Sequence, residues 1–160
     1  MITEQDRTHL KRCIELAEQG LNAGDEPFGS VLVSAEGEVL FEDHNRVSGG
    51  DGTRHPEFDI ARWAADHLTP EQRQQATVYT SGEDCPMCAA AHAWVGLGRI
   101  VFASSCTQLA EWLQDLGRPL PPVKTLPINT VAPGVQADGP VPDLAERVHE
   151  LHRRRHGQVN

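Results

Sequence analysis

The sequence has no long apolar run. Its strand-like stretches, such as Ser30 to Ser34 and Ile100 to Ser104, fall far short of the roughly 20 residues a membrane-spanning helix needs. Nor does a basic start, an apolar stretch and a small-residue cleavage site open the chain, so neither a membrane span nor secretion is expected. Positive charge is scarce as well: 14 lysines and arginines stand against 23 acidic residues, a formal net charge of −9. Nucleic-acid affinity comes largely from basic side chains displacing counterions from phosphates, so a large nucleic acid is a disfavoured partner. The local exception is the stretch holding Arg147, His149, His152, Arg153, Arg154, Arg155 and His156. A solvated helix end that complements the helix dipole accounts for it.

Cysteine is limited to four residues, and Cys13 and Cys106 each stand alone. A second CxxC pair, which a structural zinc ribbon needs, is therefore missing. With no secretion signal, Cys85 and Cys88 read as metal or redox ligands in a reducing, cytoplasmic compartment rather than as half of a disulfide framework. There is no internal repeat and no low-complexity tract, and 160 residues suffice for one core, so residues 1–160 are expected to form a single domain.

Along the chain, Leu10, Cys13, Ile14, Ala17 and Leu21 recur at helical spacing, with Thr3 placed to cap the start. Pro27 to Ser34 and Glu38 to His44 read as two antiparallel strands joined by Ala35, Glu36 and Gly37. The glycine-rich loop from Val47 to Arg54 delivers the chain to His55, where a helix from Pro56 to His67 begins, with proline tolerated in the first turn. Ala76 to Ser81 and Ile100 to Ser104 read as strands on either side of an alanine-rich helix from Pro86 to Val95, which implies parallel pairing through a right-handed crossover. The remainder holds a short helix from Thr107 to Leu116, a proline-punctuated strand from Val123 to Ile128 and a last helix from Val141 to His156.

The chemistry concentrates in one constellation. Catalytic zinc is held by three protein ligands and keeps its fourth position open for water. His55, Cys85 and Cys88 supply that number, and the N-terminus of the helix starting at Pro86 favours the thiolate form of the cysteines. Glu57, two residues after His55, can approach water at such a centre as a proton carrier without being a ligand. A bare CxxC also occurs in thioredoxin-like redox sites and in zinc ribbons, so the histidine and glutamate are what discriminate. Zinc enzymes that deaminate cytosine or adenine carry a histidine, one residue, a glutamate and, later, a CxxC pair. His55-Pro56-Glu57 and Cys85-Pro86-Met87-Cys88 reproduce that order. The remaining histidines His9, His44, His67 and His92 read as surface or packed residues, as do Trp63 and Trp112.

On these residues, together with Pro27-Phe28-Gly29-Ser30-Val31-Leu32-Val33, Asn45 and Ser81-Gly82-Glu83, the chain resembles the cytidine deaminase-like superfamily. Within it the resemblance is to the branch of guanine, cytosine and tRNA adenosine deaminases, from the first helix to Ser104. It implies an α/β fold, a three-layer α/β/α sandwich around a five-stranded mixed sheet, with one Zn²⁺ per chain. It also implies a small amino-heterocycle substrate and a homodimer, with the C-terminal segment able to reach a partner's active site. By resemblance Asn45 hydrogen-bonds the substrate, groups near Ser81 and Gly82 hold the heterocycle edge, and Phe28 and Trp94 agree with guanine deaminases. Guanine or a guanine-like base is therefore the expected substrate, followed by cytosine or cytidine, then tRNA adenosine. An inactive zinc-stabilised domain is the alternative outside enzymes. The chain departs from the family at Pro56, where alanine is usual, at Asp84, where proline is usual, and at Arg54, where alanine is frequent.

Overall fold

The computed structural model describes residues 1–157. Helix α1 spans Glu4–Asn22 and starts at a capping box in which Thr3 and Asp6 satisfy each other's backbone N–H groups. Strands β1 (Gly29–Val33) and β2 (Val39–His44) form the expected antiparallel pair, with a register shift between Leu32 and Val33. Helices α2 (Pro56–His67) and α4 (Pro86–Val95) flank β3 (Thr77–Gly82), and β4 (Ile100–Ser104) lies parallel to β3. A short helix α3 (Pro70–Gln75), capped reciprocally by Thr69 and Gln72, connects α2 to β3. Helix α5 (Cys106–Asp115), helix α6 (Ile128–Val131), strand β5 (Ala137–Asp138) and helix α7 (Pro142–His156) complete the fold.

The sheet runs β2-β1-β3-β4-β5, antiparallel from β2 through β3 and parallel from β3 through β5. Successive residues of a strand face opposite sides, so both faces of this sheet need cover. Val31, Val33, Tyr79, Val101 and Ala103 pack against Leu10, Ile14 and Ala17 of α1 and Leu144 and Val148 of α7. Leu32, Val78 and Ile100 pack on the other side against Ile60 and Ala64 of α2, Ala89 of α4 and Ile128 of α6. The result is the three-layer α/β/α sandwich with a five-stranded mixed sheet that the sequence implied. Gly29 shows how tightly α1 seats on β1: a side-chain carbon there would stand 2.6 Å from the Ala17 backbone nitrogen, so only glycine lets the two backbones meet.

One element differs from expectation. Residues 123–128 form no strand; the fifth strand is Ala137–Asp138, where Ala137 pairs with Ile100. Pro121, Pro122 and Pro127 explain the difference, since each lacks the N–H that a ladder requires. Val123, Lys124 and Thr125 instead line a cavity described below.

Candidate active site

The metal-ligand candidates stand at two helix starts of the same design. His55 is the N-cap of α2 and Pro56 follows it; Cys85 is the N-cap of α4 and Pro86 follows it. Each N-cap residue has extended backbone, φ −91° at His55 and −67° at Cys85, which turns its side chain away from the helix axis. Cys88, one turn into α4, closes the group. His55 Nδ1 lies 3.5 Å from Cys85 Sγ and 3.6 Å from Cys88 Sγ, and the two sulfurs are 3.5 Å apart. Tetrahedral zinc, with bonds of roughly 2.3 Å to sulfur and 2.0–2.1 Å to nitrogen, puts its ligand atoms about 3.5–3.8 Å apart. The donor set and its spacing therefore fit one zinc ion.

The electrostatics of the group match that fit. The hydrogen bond from the Cys88 thiol brings the Cys85 pKa down to about 4, against burial that opposes it, with the His55 contact helping. Cys88, as the donor, is pushed well up. The contact with Cys85 raises the His55 imidazole, against the effect of its burial. The surroundings thus favour the thiolate form of Cys85, which thiolate ligation requires.

Glu57 is buried behind this group. Its Oε1 accepts hydrogen bonds from Thr80 Oγ1 at 2.7 Å and Ser30 Oγ at 2.9 Å, and the two hydroxyls lie 3.0 Å apart. Burial raises its pKa against the Thr80 hydrogen bond and the positive field of His55. A buried carboxyl raised in this way beside a metal-ligand set is the kind of group found at functional sites.

A cavity of about 690 Å³ opens over the group, walled by Phe28, Asn45, Val47, Met87 and Leu109 and reached by His55, Glu57 and Cys85. Its volume lies within the range usual for small-molecule sites. Asn45 is tied to Phe28, whose carbonyl accepts its backbone N–H at 2.9 Å. The Asn45 side-chain oxygen accepts from the Val47 N–H at 3.0 Å, so its NH₂ group is the donor without a partner among the described residues, on a residue that lines the cavity.

Other expected contacts fall elsewhere. Ser81 and Gly82 are buried beneath the cavity and do not line it. Ser81 Oγ accepts from the Gly29 N–H, its carbonyl accepts from Ser104 Oγ, and Gly82 leaves room for the Phe28 ring, 3.3 Å from where a side-chain carbon would sit. Trp94 is corrected more sharply. It is 89% exposed on the outer side of α4 and borders a separate groove with Pro70, Leu97 and Val135, so it cannot touch a ligand in its own chain's cavity.

The structure adds residues that sequence reasoning missed. His152 of α7 is buried, lines the cavity and meets Phe28 edge-on with ring centroids 5.2 Å apart. Its Nδ1 has no partner among the described residues, and burial, helped by the charges of His156 and His149, pulls its pKa down to about 3. Glu83 clamps the rim, accepting from Cys106 N at 3.0 Å and Ile128 N at 2.7 Å. The helical stripe of α7 marked residue 152 as inward-facing, but not what it would face. Asp84, where the family usually has proline, is buried with neither oxygen paired among the described residues, and burial next to Glu57 and Cys85 pushes its pKa far up.

A histidine and a CxxC pair meeting at two helix starts on an open mixed sheet make a zinc deaminase centre rather than a redox pair or a zinc ribbon. Residues 3–104 match the cytidine and deoxycytidylate deaminase zinc-binding region, and the chain belongs to that family as a zinc-binding deaminase. It is 30% identical to a probable cytosine deaminase of Schizosaccharomyces pombe over 88% of this chain and 91% of that protein. It is 39% identical to a guanine deaminase of Bacillus subtilis over 65% of this chain and 67% of that one. The fold superposes on a guanine deaminase structure from Nitrosomonas europaea with a TM-score of 0.71, at 19% identity, covering 98% of this chain and 86% of that one. Among the described residues no helix is long and apolar enough to cross a membrane.

Proposed function

We propose that this chain hydrolyses the exocyclic amine of a free amino-heterocycle, guanine or a guanine-like base first, releasing ammonia and leaving a ring carbonyl. The observation that carries this reading is the free Asn45 NH₂ donor in a cavity that also holds Glu57 and the zinc ligands. Guanine has a ring carbonyl to accept that donor; adenine has none.

His55, Cys85 and Cys88 would hold the zinc. When bound, zinc supplies the Lewis acidity that lets water ionise near pH 7. Glu57 accepts the proton that water gives up and delivers it to the ring nitrogen as the water oxygen bonds to the amine-bearing carbon; it then takes the second proton from that added hydroxyl and passes it to the amine, so that ammonia leaves as the ring carbonyl forms. Phe28 supplies an apolar face for the ring, and Asn45 fixes which edge points toward Glu57.

Cytosine is the second reading, favoured by the near full-length likeness to a probable cytosine deaminase and by the carbonyl that cytosine also carries. The acidic surface disfavours tRNA. The exposed Trp94 beside an apolar-edged groove supports a homodimer, which sedimentation would detect. Ammonia release by zinc-loaded protein from guanine, cytosine, adenine, cytidine, guanosine and ammeline tests the substrate reading. Guanine or ammeline turned over fastest would support it; cytosine turned over fastest would move the assignment to the second reading.

A further inference from the structure

Ser30 and Thr80 are fully buried hydroxyls on neighbouring strands, at positions where the rest of the sheet buries valine, leucine and isoleucine. The antiparallel register of β1 and β3 pairs them directly, Ser30 opposite Thr80, on the face that α2 covers. Burying a hydroxyl costs free energy unless it is hydrogen-bonded. Here two hydroxyl hydrogens are shared among four contacts: Thr80 Oγ1 lies 2.7 Å from Glu57 Oε1 and 2.8 Å from the Gly82 carbonyl, and Ser30 Oγ lies 2.9 Å from Glu57 Oε1 and 3.0 Å from Thr80 Oγ1. Both hydroxyls converge on the same atom, Glu57 Oε1, while Oε2 has no side-chain hydrogen bond among the described residues and Glu57 lines the cavity.

We propose that Ser30 and Thr80 are positioning residues that anchor Glu57 by Oε1, making Oε2 the oxygen that accepts and returns the proton. This rests on the reading of Glu57 as the proton carrier. An oxygen hemmed in by two hydroxyls at 2.7 and 2.9 Å is poorly placed to exchange a proton with a ligand, whereas no hydroxyl stands beside Oε2 among the described residues. The pair also fixes the plane of the carboxyl, which otherwise turns freely about its last side-chain bond. A proton moving from water to Oε2 and on to the ring nitrogen then travels along one fixed direction. Neither hydroxyl touches substrate, so their effect belongs in turnover and not in affinity.

The test compares zinc-loaded parent, Ser30→Ala, Thr80→Val, the double variant, Thr80→Ser and Glu57→Gln. Ammonia release is measured from guanine, cytosine and ammeline, and crystal structures of the same proteins provide a second readout that needs no substrate. The double variant is expected to keep one zinc per chain and a KM within about threefold, while kcat falls about 10–100-fold, the usual cost of losing groups that orient a metal-site residue. Thr80→Ser should recover most of what Thr80→Val loses. In the crystals Glu57 should leave its parent rotamer in the double variant and keep it in Thr80→Ser. A double variant with kcat within twofold of the parent, or with Glu57 unmoved, overturns the proposal. If the double variant does not fold, the Thr80→Val and Thr80→Ser pair decides on the same two readouts. Glu57→Gln separates the two claims: inactive Glu57→Gln beside a fully active double variant sinks the anchoring and spares the proton carrier, whereas active Glu57→Gln sinks the proton carrier itself.

Discussion

His55 Nδ1 and Cys85 Sγ lie 3.5 Å apart although 30 residues separate them, because each is the N-cap of a helix whose next residue is proline. Two helix N-termini thereby face one point, and both helix dipoles favour negative charge on the sulfur ligands. Replacing Cys88 with serine should therefore lower zinc content from one per chain to a small fraction, as measured by atomic absorption after dialysis. Because ligation requires deprotonated thiols, zinc affinity should also rise with pH across the neutral range, with proton release on binding. Calorimetry in two buffers of different ionisation enthalpy reads that release.

Asn45 uses its side-chain oxygen on the Val47 N–H and keeps its NH₂ for the cavity. Asn45→Asp preserves the acceptor and removes the donor. The expected outcome is a loss of about tenfold or more in kcat/KM for any carbonyl-bearing base, the worth of one hydrogen bond to substrate. Melting temperature measured alongside separates this from unfolding.

His152 gives the fold an acid-side weakness. Its ordinary pKa of 6.5 is lowered to about 3 by burial and by the neighbouring His156 and His149, so the folded protein cannot take up the proton that the unfolded chain accepts. The stability associated with its neutral form is complete above about pH 6.5. It falls with pH at about 1.4 kcal/mol per unit until the folded residue titrates near 3. Urea unfolding of the parent and of His152→Phe between pH 7 and 4 should give a shallower pH dependence for the variant. Equal slopes would remove His152 from the explanation.

Much of this was legible from residue order alone. The helix from Pro86 to Val95 and the strand from Ile100 to Ser104 match the structure residue for residue, because proline, glycine and β-branched runs mark their ends locally. His55, Glu57, Cys85 and Cys88 were also legible, since each ligand sits at a helix start that proline announces. Distant relationships were not. Ser30 faces Thr80 only through strand register, and His152 meets Phe28 only once α7 has packed across the sheet. Trp94 misled because its position on α4 matched a family pattern, while the direction of its side chain depends on where the helix turns its apolar side. The expected proline-punctuated strand from Val123 to Ile128 does not form, because Pro127 within it and Pro121 and Pro122 before it lack the N–H that a ladder requires.

The most direct measurement is ammonia release from guanine and cytosine by zinc-loaded parent and by zinc-loaded Glu57→Gln, with zinc counted in both. Turnover by the parent, one zinc per chain in each protein, and a loss of at least 10²–10⁴-fold in the variant is the expected result. Full zinc occupancy with no ammonia from either base, or turnover that survives Glu57→Gln, would contradict Glu57 as the proton carrier of a free-base deaminase.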